Sequence, residues 1–316
     1  MRVFITGATG LLGRALCGEL VRRGDEVVAL SRKQQPARED SARWVVGDPA
    51  SEGPWCSEID GADAVVHLAG ESIAGGRWTR ARKASLVASR VESTRLISRE
   101  ISNCASPPEV LICASATGYY GARGEQQLAE DAAPGDDFLA GLCRDWEAAA
   151  QEAASDAVRV VCLRFAVVLS AQGGALEKML PPFRLGLGGP LGPKDRWFPW
   201  IHERDAVGLM LHALGPSDSV GPDGDRSGEG SDLLRGPVNA VAPGAVRMGE
   251  FASALGTELR RPAVLPVPLG ALRLILGELA ELLSPGQRVL ADRALASGYR
   301  FSYPDITSAI RACLES

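Results

Sequence analysis

The amino-acid sequence predicts a doubly wound α/β fold, a parallel sheet flanked by helices, with a smaller C-terminal lobe. Three observations predict it. Short β-rich runs alternate with longer stretches of helical periodicity through the first half of the chain. Several runs, Ala64-Val65-Val66-His67-Leu68 among them, are apolar almost throughout, as strands are when helices cover both faces of a parallel sheet. The first run leads straight into a glycine-rich turn and a helix, the opening of a βαβ unit.

Taken in order, strands are expected at residues 3–6, 26–30, 43–46, 64–68, 110–114 and 159–165, and helices at 11–23, 80–101 and 138–154. Within 80–101, Val87, Val91 and Ile101 fall on one face with charges opposite. After Phe165 the rhythm breaks. The Gly/Pro-rich stretch 179–193 suits ordered loops between short elements and opens the second lobe. Residues 215–236, dense in Gly, Ser, Asp and Pro, have the composition of a solvent loop. Helical patterns at 249–255, 269–283 and 286–296 complete the chain. The expected division is 1–165 as the first domain and 166–316 as the smaller lobe, with 203–240 returning to the first.

A chain of 316 residues exceeds the ~250–300 at which one core usually stops growing, in keeping with two lobes. Its net charge of −5 argues against a polyanion-binding surface, so a small-molecule ligand is expected and nucleic acid is not. The cysteines, at 17, 56, 104, 113, 143, 162 and 313, are odd in number and form no CxxC, and read as buried thiols in a reducing compartment. The chain starts on a strand rather than a charged leader, so it is expected in the cytoplasm, or in an organelle stroma or matrix for a form whose leader was removed. The apolar stretch 264–283 is interrupted by Pro266, Pro268, Arg273, Glu278 and Glu281, so an amphipathic helix is expected there and no membrane span. Neither a metal-ligand spacing nor a Gly-x-Ser-x-Gly elbow occurs.

The clearest chemical signature is Thr6-Gly7-Ala8-Thr9-Gly10-Leu11-Leu12-Gly13. Glycines at 7, 10 and 13 permit a tight turn, close approach of backbone N–H groups to a pyrophosphate, and close packing of helix on sheet. Dinucleotide sites that take NAD present a carboxylate at the end of the second strand. Here that strand ends Ala29-Leu30-Ser31-Arg32-Lys33, and two cations in place of the acid suit a 2′-phosphate. The expected cofactor is NADP(H), on a Rossmann-type first domain. Asp48 after the third strand is a candidate acceptor at the adenine edge, and Ala69, Gly70 and Glu71 after the fourth line the same cleft.

These residues, with Ser115-Ala116-Thr117-Gly118-Tyr119-Tyr120-Gly121, resemble the extended short-chain dehydrogenase/reductase superfamily. Ala69-Gly70-Glu71, Arg77-Trp78, Ser89-Arg90, the 180–190 stretch, Trp200-Ile201-His202 and Gly298-Tyr299 narrow the resemblance to its atypical epimerase-family branch. That branch joins a part similar to the NAD-dependent epimerases and dehydratases to its own C-terminal domain of unknown function. The resemblance covers essentially the whole chain apart from 215–236. It implies NADP(H) contacts at Gly7, Thr9, Gly10, Leu11, Leu12, Gly13, Arg32, Lys33, Asp48, Ala69, Gly70, Glu71, Arg77 and Val167.

The wider superfamily uses a Tyr-x-x-x-Lys pair for proton transfer, and none exists here: residues four beyond Tyr119, Tyr120, Tyr299 and Tyr303 are Arg123, Gly124, Tyr303 and Thr307. Aligning the helix on Glu147 puts Leu139 and Cys143 in those places. The candidate catalytic set is therefore Ser115, able to hydrogen-bond a substrate oxygen, with Tyr119 or Tyr120 as proton donor and water or Glu71 as the alternatives. His202 is expected to cap a helix and His67 to be a satisfied core histidine. Two readings stand. One is an oxidoreductase or epimerase-like enzyme with an unidentified carbonyl or alcohol substrate between the lobes. The other is a non-catalytic NADP(H)-binding regulatory protein with a protein partner, since some branch members carry a cell-division-inhibitor label.

Overall fold

The computed structural model describes residues 1–36, 42–215, 233–265, 270 and 286–315. The strands are, in chain order, β1 (Arg2–Thr6), β2 (Glu26–Ser31), β3 (Arg43–Val46), β4 (Ala64–His67), β5 (Val110–Ala116), β6 (Gln127–Leu128), β7 (Arg159–Phe165), β8 (Val167–Leu169), β9 (Trp197–Phe198), β10 (Trp200–His202), β11 (Gly236–Ala240), β12 (Val246–Arg247) and β13 (Arg288–Val289). The helices are α1 (Leu11–Arg22), α2 (Arg80–Val87), α3 (Ser93–Asn103), α4 (Phe138–Gln151), α5 (Gly174–Arg184), α6 (Glu203–Leu214), α7 (Met248–Glu258), α8 (Asp292–Ala296) and α9 (Ile306–Glu315).

The expected parallel sheet is present, with strands in the order β11-β7-β5-β4-β1-β2-β3, every neighbouring pair parallel. Alternate side chains of each strand enter two different cores, because successive residues of a strand face opposite ways. Val3, Ile5, Val27, Ala29, Val66, Ile112 and Leu163 pack with Leu16 and Leu20 of α1 and Leu209 and Met210 of α6. Phe4, Val28, Val65, Leu111 and Val160 pack on the other face with Leu86, Ile97, Leu142 and Trp146 of α2, α3 and α4. A third core joins Leu176 and Phe183 of α5, Trp200 of β10, Phe251 of α7 and Ile310 of α9. α6 lies on one face of the sheet and β11 at its edge.

Three expectations are corrected and two are left aside. The single helix at 80–101 is α2 and α3 joined by a π turn, Ala88–Glu92. Residues 179–184, expected as loop, are the second half of α5 despite Pro181 and Pro182, because Met179, Leu180 and Phe183 are buried in the third core. The 286–296 helix is a strand, β13, and then the short α8, since Arg288 and Val289 pair with Gln127 and Leu128. All but one residue of the helix expected at 269–283, and most of the 215–236 loop, lie outside the described residues. All seven cysteines are free, but Cys56 and Cys104 are only half-buried. Among the described residues no helix is long and apolar enough to cross a membrane, and no group of His, Cys, Asp and Glu is placed to hold a metal ion.

Candidate functional site

The strand order reverses between β1 and β4, so their crossovers leave in opposite directions and open a crevice beyond the C-terminal ends. The 7–13 turn lies at its centre. Gly7 has φ +70°, and a Cβ there would sit 2.6 Å from the Leu68 carbonyl carbon, so glycine is required to bring β1 and the β4 loop together. A Cβ on Gly13 would lie 2.2 Å from the Gly7 carbonyl oxygen; this is the contact that seats α1 on the sheet. Gly10 differs. Its added Cβ would meet only the Gly7 oxygen, at 3.2 Å, and otherwise point into open space. Gly10 caps α1 in extended geometry with no side-chain acceptor, so the first-turn N–H groups keep their capacity for an anion.

The remaining expected contacts lie in this turn or follow the C-terminal ends of β2, β3, β4 and β7. Thr9 is exposed, its carbonyl accepting from Arg14, and Leu11 reaches toward Gly173 and Gly174 beyond β8. Leu12 is half-buried against the α1 face of the sheet. Arg32 and Lys33 are exposed directly after β2, on a loop that Ser31 organises by accepting from the Lys33 N–H and from Gln35. Asp48 follows β3 in a turn closed by its own carboxylate on the Ala50 N–H. Ala69, Gly70 and Glu71 follow β4; Glu71 is ion-paired with Arg82, and Arg77 is exposed further along the same loop. Val167 opens β8 beside Trp200.

At the end of β5, Ser115 Oγ donates to Glu147 Oε1 on α4 over 2.6 Å. Glu147 is gripped by Arg164 of β7, whose Nε and Nη2 each reach one carboxylate oxygen at 2.8 Å. Burial disfavours the Arg164 charge, but the Glu147 bonds outweigh it and hold its pKa above the usual arginine value. Arg164 Nη1 donates to the Tyr120 hydroxyl, 2.9 Å, and Tyr120 in turn donates to Asn239 Oδ1, 2.6 Å.

This network corrects one expectation and supplies two residues the sequence reading missed. Tyr120 is fully buried and its hydroxyl is engaged on both sides, with burial pushing its pKa up to about 12, so it braces β11 against β7 and is no proton donor to a ligand. Tyr119 is half-buried, its ring 3.5 Å from Arg164 Cζ, and no described residue hydrogen-bonds its hydroxyl. The missed residues are Glu147 and Arg164, which neither spacing nor periodicity connects to Ser115.

His67 and His202 take the structural places expected of them. His67 is fully buried between Thr6 Oγ1 and Ser93 Oγ, and the His202 ring accepts from the Arg204 N–H at the start of α6.

Residues 3–225 match the model of the NAD dependent epimerase/dehydratase family, and residues 267–313 match a domain of unknown function, DUF1731. The chain belongs to the NAD dependent epimerase/dehydratase family. Among relatives of this family member, the bovine (Bos taurus) "Epimerase family protein SDR39U1" is 39% identical over 98% of the chain and 99% of its own length. An Arabidopsis thaliana relative, "Epimerase family protein SDR39U1 homolog, chloroplastic", is 38% identical over 100% of the chain and 87% of its own length. The crystal structure of human epimerase family protein SDR39U1 (isoform2) with NADPH superposes with a TM-score of 0.87 at 36% identity, covering 100% of both chains. In this member of the family Leu139 and Cys143 both lie against Gly118: a Cβ there would be 3.4 Å from Leu139 Cβ and 3.8 Å from Cys143 Sγ. Burial pushes the Cys143 thiol up to about 12, so it offers neither a cation nor a thiolate in place of a lysine.

Proposed function

We propose that the chain is an NADP(H)-dependent oxidoreductase or epimerase-like enzyme acting on an alcohol or carbonyl substrate held between the sheet edge and the C-terminal elements. The observation that carries this reading is the Ser115–Glu147 contact, a hydroxyl at a strand end 2.6 Å from a carboxylate that two guanidinium hydrogen bonds hold in place. The cofactor choice is supported by the uncapped first turn of α1, by Arg32 and Lys33 where an acid would select NAD, and by the NADPH of the human relative. Gly7, Thr9, Gly10, Leu11, Leu12 and Gly13 would hold the pyrophosphate, and Arg32 and Lys33 the 2′-phosphate. Asp48 would hold the adenine edge, and Ala69, Gly70, Glu71, Arg77 and Val167 the rest of the molecule.

When bound, NADP(H) accepts or supplies the hydride. Ser115 donates its O–H hydrogen bond to Glu147 and thereby leaves its oxygen lone pairs free to accept from a substrate hydroxyl. In oxidation the hydroxyl proton passes to Ser115 Oγ as the serine proton passes to Glu147 Oε1; reduction runs the same path in reverse. Tyr119 is the second hydroxyl at this strand end. Ser115→Ala is expected to lower turnover by ~10²-fold while leaving the NADPH dissociation constant unchanged, and Tyr119→Phe to do the same if its proton is the one used.

A second reading, a non-catalytic NADP(H)-binding protein with a protein partner, is favoured by Leu139 and Cys143 packing into the space of a Tyr/Lys pair. A screen of carbonyl substrates that finds no NADPH oxidation, with a partner retained only by the NADPH-loaded chain, selects it. The chloroplastic designation of the Arabidopsis relative supports an organelle stroma as the working compartment.

A further inference from the structure

Ser89-Arg90 is a motif for which the proposed mechanism has no use. Arg90 lies in the π turn between α2 and α3, an irregularity frequent at functional sites. Its guanidinium rests on the backbone of Gly70, where an added Cβ would be 3.2 Å from Cζ and 3.4 and 3.5 Å from the two terminal nitrogens. Nη2 donates to the Glu71 carbonyl at 2.8 Å, Nη1 approaches Ser89 Oγ at 3.4 Å, and Cζ stands 5.2 Å from the centre of the Trp146 ring. Trp146 is the neighbour of Glu147 on α4.

Among the described residues no carboxylate is ion-paired with Arg90, although Arg2, Arg23, Arg82 and Arg164 each have one. A second donor beside it is also unmet. Arg82 pairs with Glu71 and reaches the Ser72 carbonyl, yet its Nε is buried without a hydrogen-bond partner. Two guanidinium groups thus meet at Glu71, four residues beyond β4, Arg82 on its carboxylate and Arg90 on its main-chain carbonyl. A half-buried cation without a counter-ion is unfavourable unless a ligand brings the opposite charge, and a planar guanidinium suits the two oxygens of a carboxylate.

We propose that Arg90, seconded by Arg82, binds an oxyanion of the substrate, which makes the substrate a carboxylate-bearing alcohol or carbonyl compound of the hydroxy-acid or oxo-acid class. The proposal rests on the cofactor-and-substrate reading above and adds the chemical class of the substrate. The cofactor's own phosphates offer the same oxyanion chemistry, and the experiment separates the two sources.

The full chain is first titrated with NADP⁺. The saturated protein is then titrated calorimetrically with pyruvate, malonate and 2-oxoglutarate, and with neutral dimethyl malonate. At least one carboxylate binds and the diester does not. Arg90→Gln weakens that carboxylate at least tenfold while changing NADP⁺ affinity less than twofold. Gly70→Ala, which presses a methyl group against the guanidinium and keeps its charge, weakens the carboxylate as well. Failure of every carboxylate to bind, or equal binding to wild type and Arg90→Gln, overturns the proposal. A loss of NADP⁺ affinity in Arg90→Gln with carboxylates indifferent assigns the oxyanion to the cofactor and also overturns it. A wild type that takes no NADP⁺ removes the cofactor reading itself and this proposal with it.

Discussion

Gly10 and Gly13 stand one helical turn apart and face opposite demands. The Gly13 hydrogen points at the Gly7 carbonyl, where a Cβ would overlap backbone at 2.2 Å, and backbone cannot step aside as a side chain can. Gly13→Ala is therefore expected to lower unfolding stability by at least about 2 kcal/mol, read by urea denaturation. Gly10→Ala meets only one atom at 3.2 Å and projects into the crevice, so it should fold with nearly full stability and lose nucleotide affinity more than tenfold. The histidines give a pH signature. Burial first, then the nearby Arg90 charge, drives the His67 pKa down to about 3, and burial with Arg204 takes His202 to about 4. In the unfolded chain both protonate near pH 6.5, so below that pH the unfolded state holds more protons and stability falls. The expected loss is about 1.5 kcal/mol per histidine between pH 6.5 and 5, and His67→Gln should halve the slope in denaturation curves taken across that range.

Three segments, β5, α4 and β7, meet around one buried ion pair. Arg164 and Glu147 have side chains only 3% and 12% exposed, and removing one member of such a pair leaves the other charge without compensation. Glu147→Gln is expected to destabilise by about 3 kcal/mol, a larger effect than Ser115→Ala, which removes a single hydrogen bond worth about 1 kcal/mol. Thermal unfolding of the two variants side by side checks that order. The same cluster shows where sequence reading stops. The strands were legible because a covered parallel sheet makes them continuously apolar, and α4 was legible from its spacing of Leu142, Trp146 and Ala149. The Ser115–Glu147 contact joins positions 32 residues apart and Glu147–Arg164 positions 17 apart, and no local periodicity carries such a pairing. The two- and three-residue strands β6, β8, β9, β10, β12 and β13 were invisible for the same reason, being defined by distant partners rather than by their own pattern. Tyr119 and Tyr120 looked equivalent in sequence; only the fold turns one into the interior.

Across the whole molecule, the net charge of −5 and the cationic end of β2 act together. A chain with an acidic excess gives no general attraction for phosphate, so the affinity for a 2′-phosphate must come from local groups, and Arg32 and Lys33 stand exposed where that group would lie. The glycine turn and the parallel, doubly wound sheet were legible in the sequence, whereas the chemistry of the substrate was not, because its determinants sit on loops whose positions depend on the complete fold. This crevice is expected to bind NADP(H) and to select it through those two cations. Calorimetric titration of NADPH and NADH into the wild type and into the Arg32→Ala/Lys33→Ala variant tests it most directly. The wild type should favour NADPH by roughly 1.5–3 kcal/mol and the variant should bind both alike, the scale of hydrogen bonds to a charged group. An NADPH preference that survives in the variant, or equal affinities in the wild type, would contradict it.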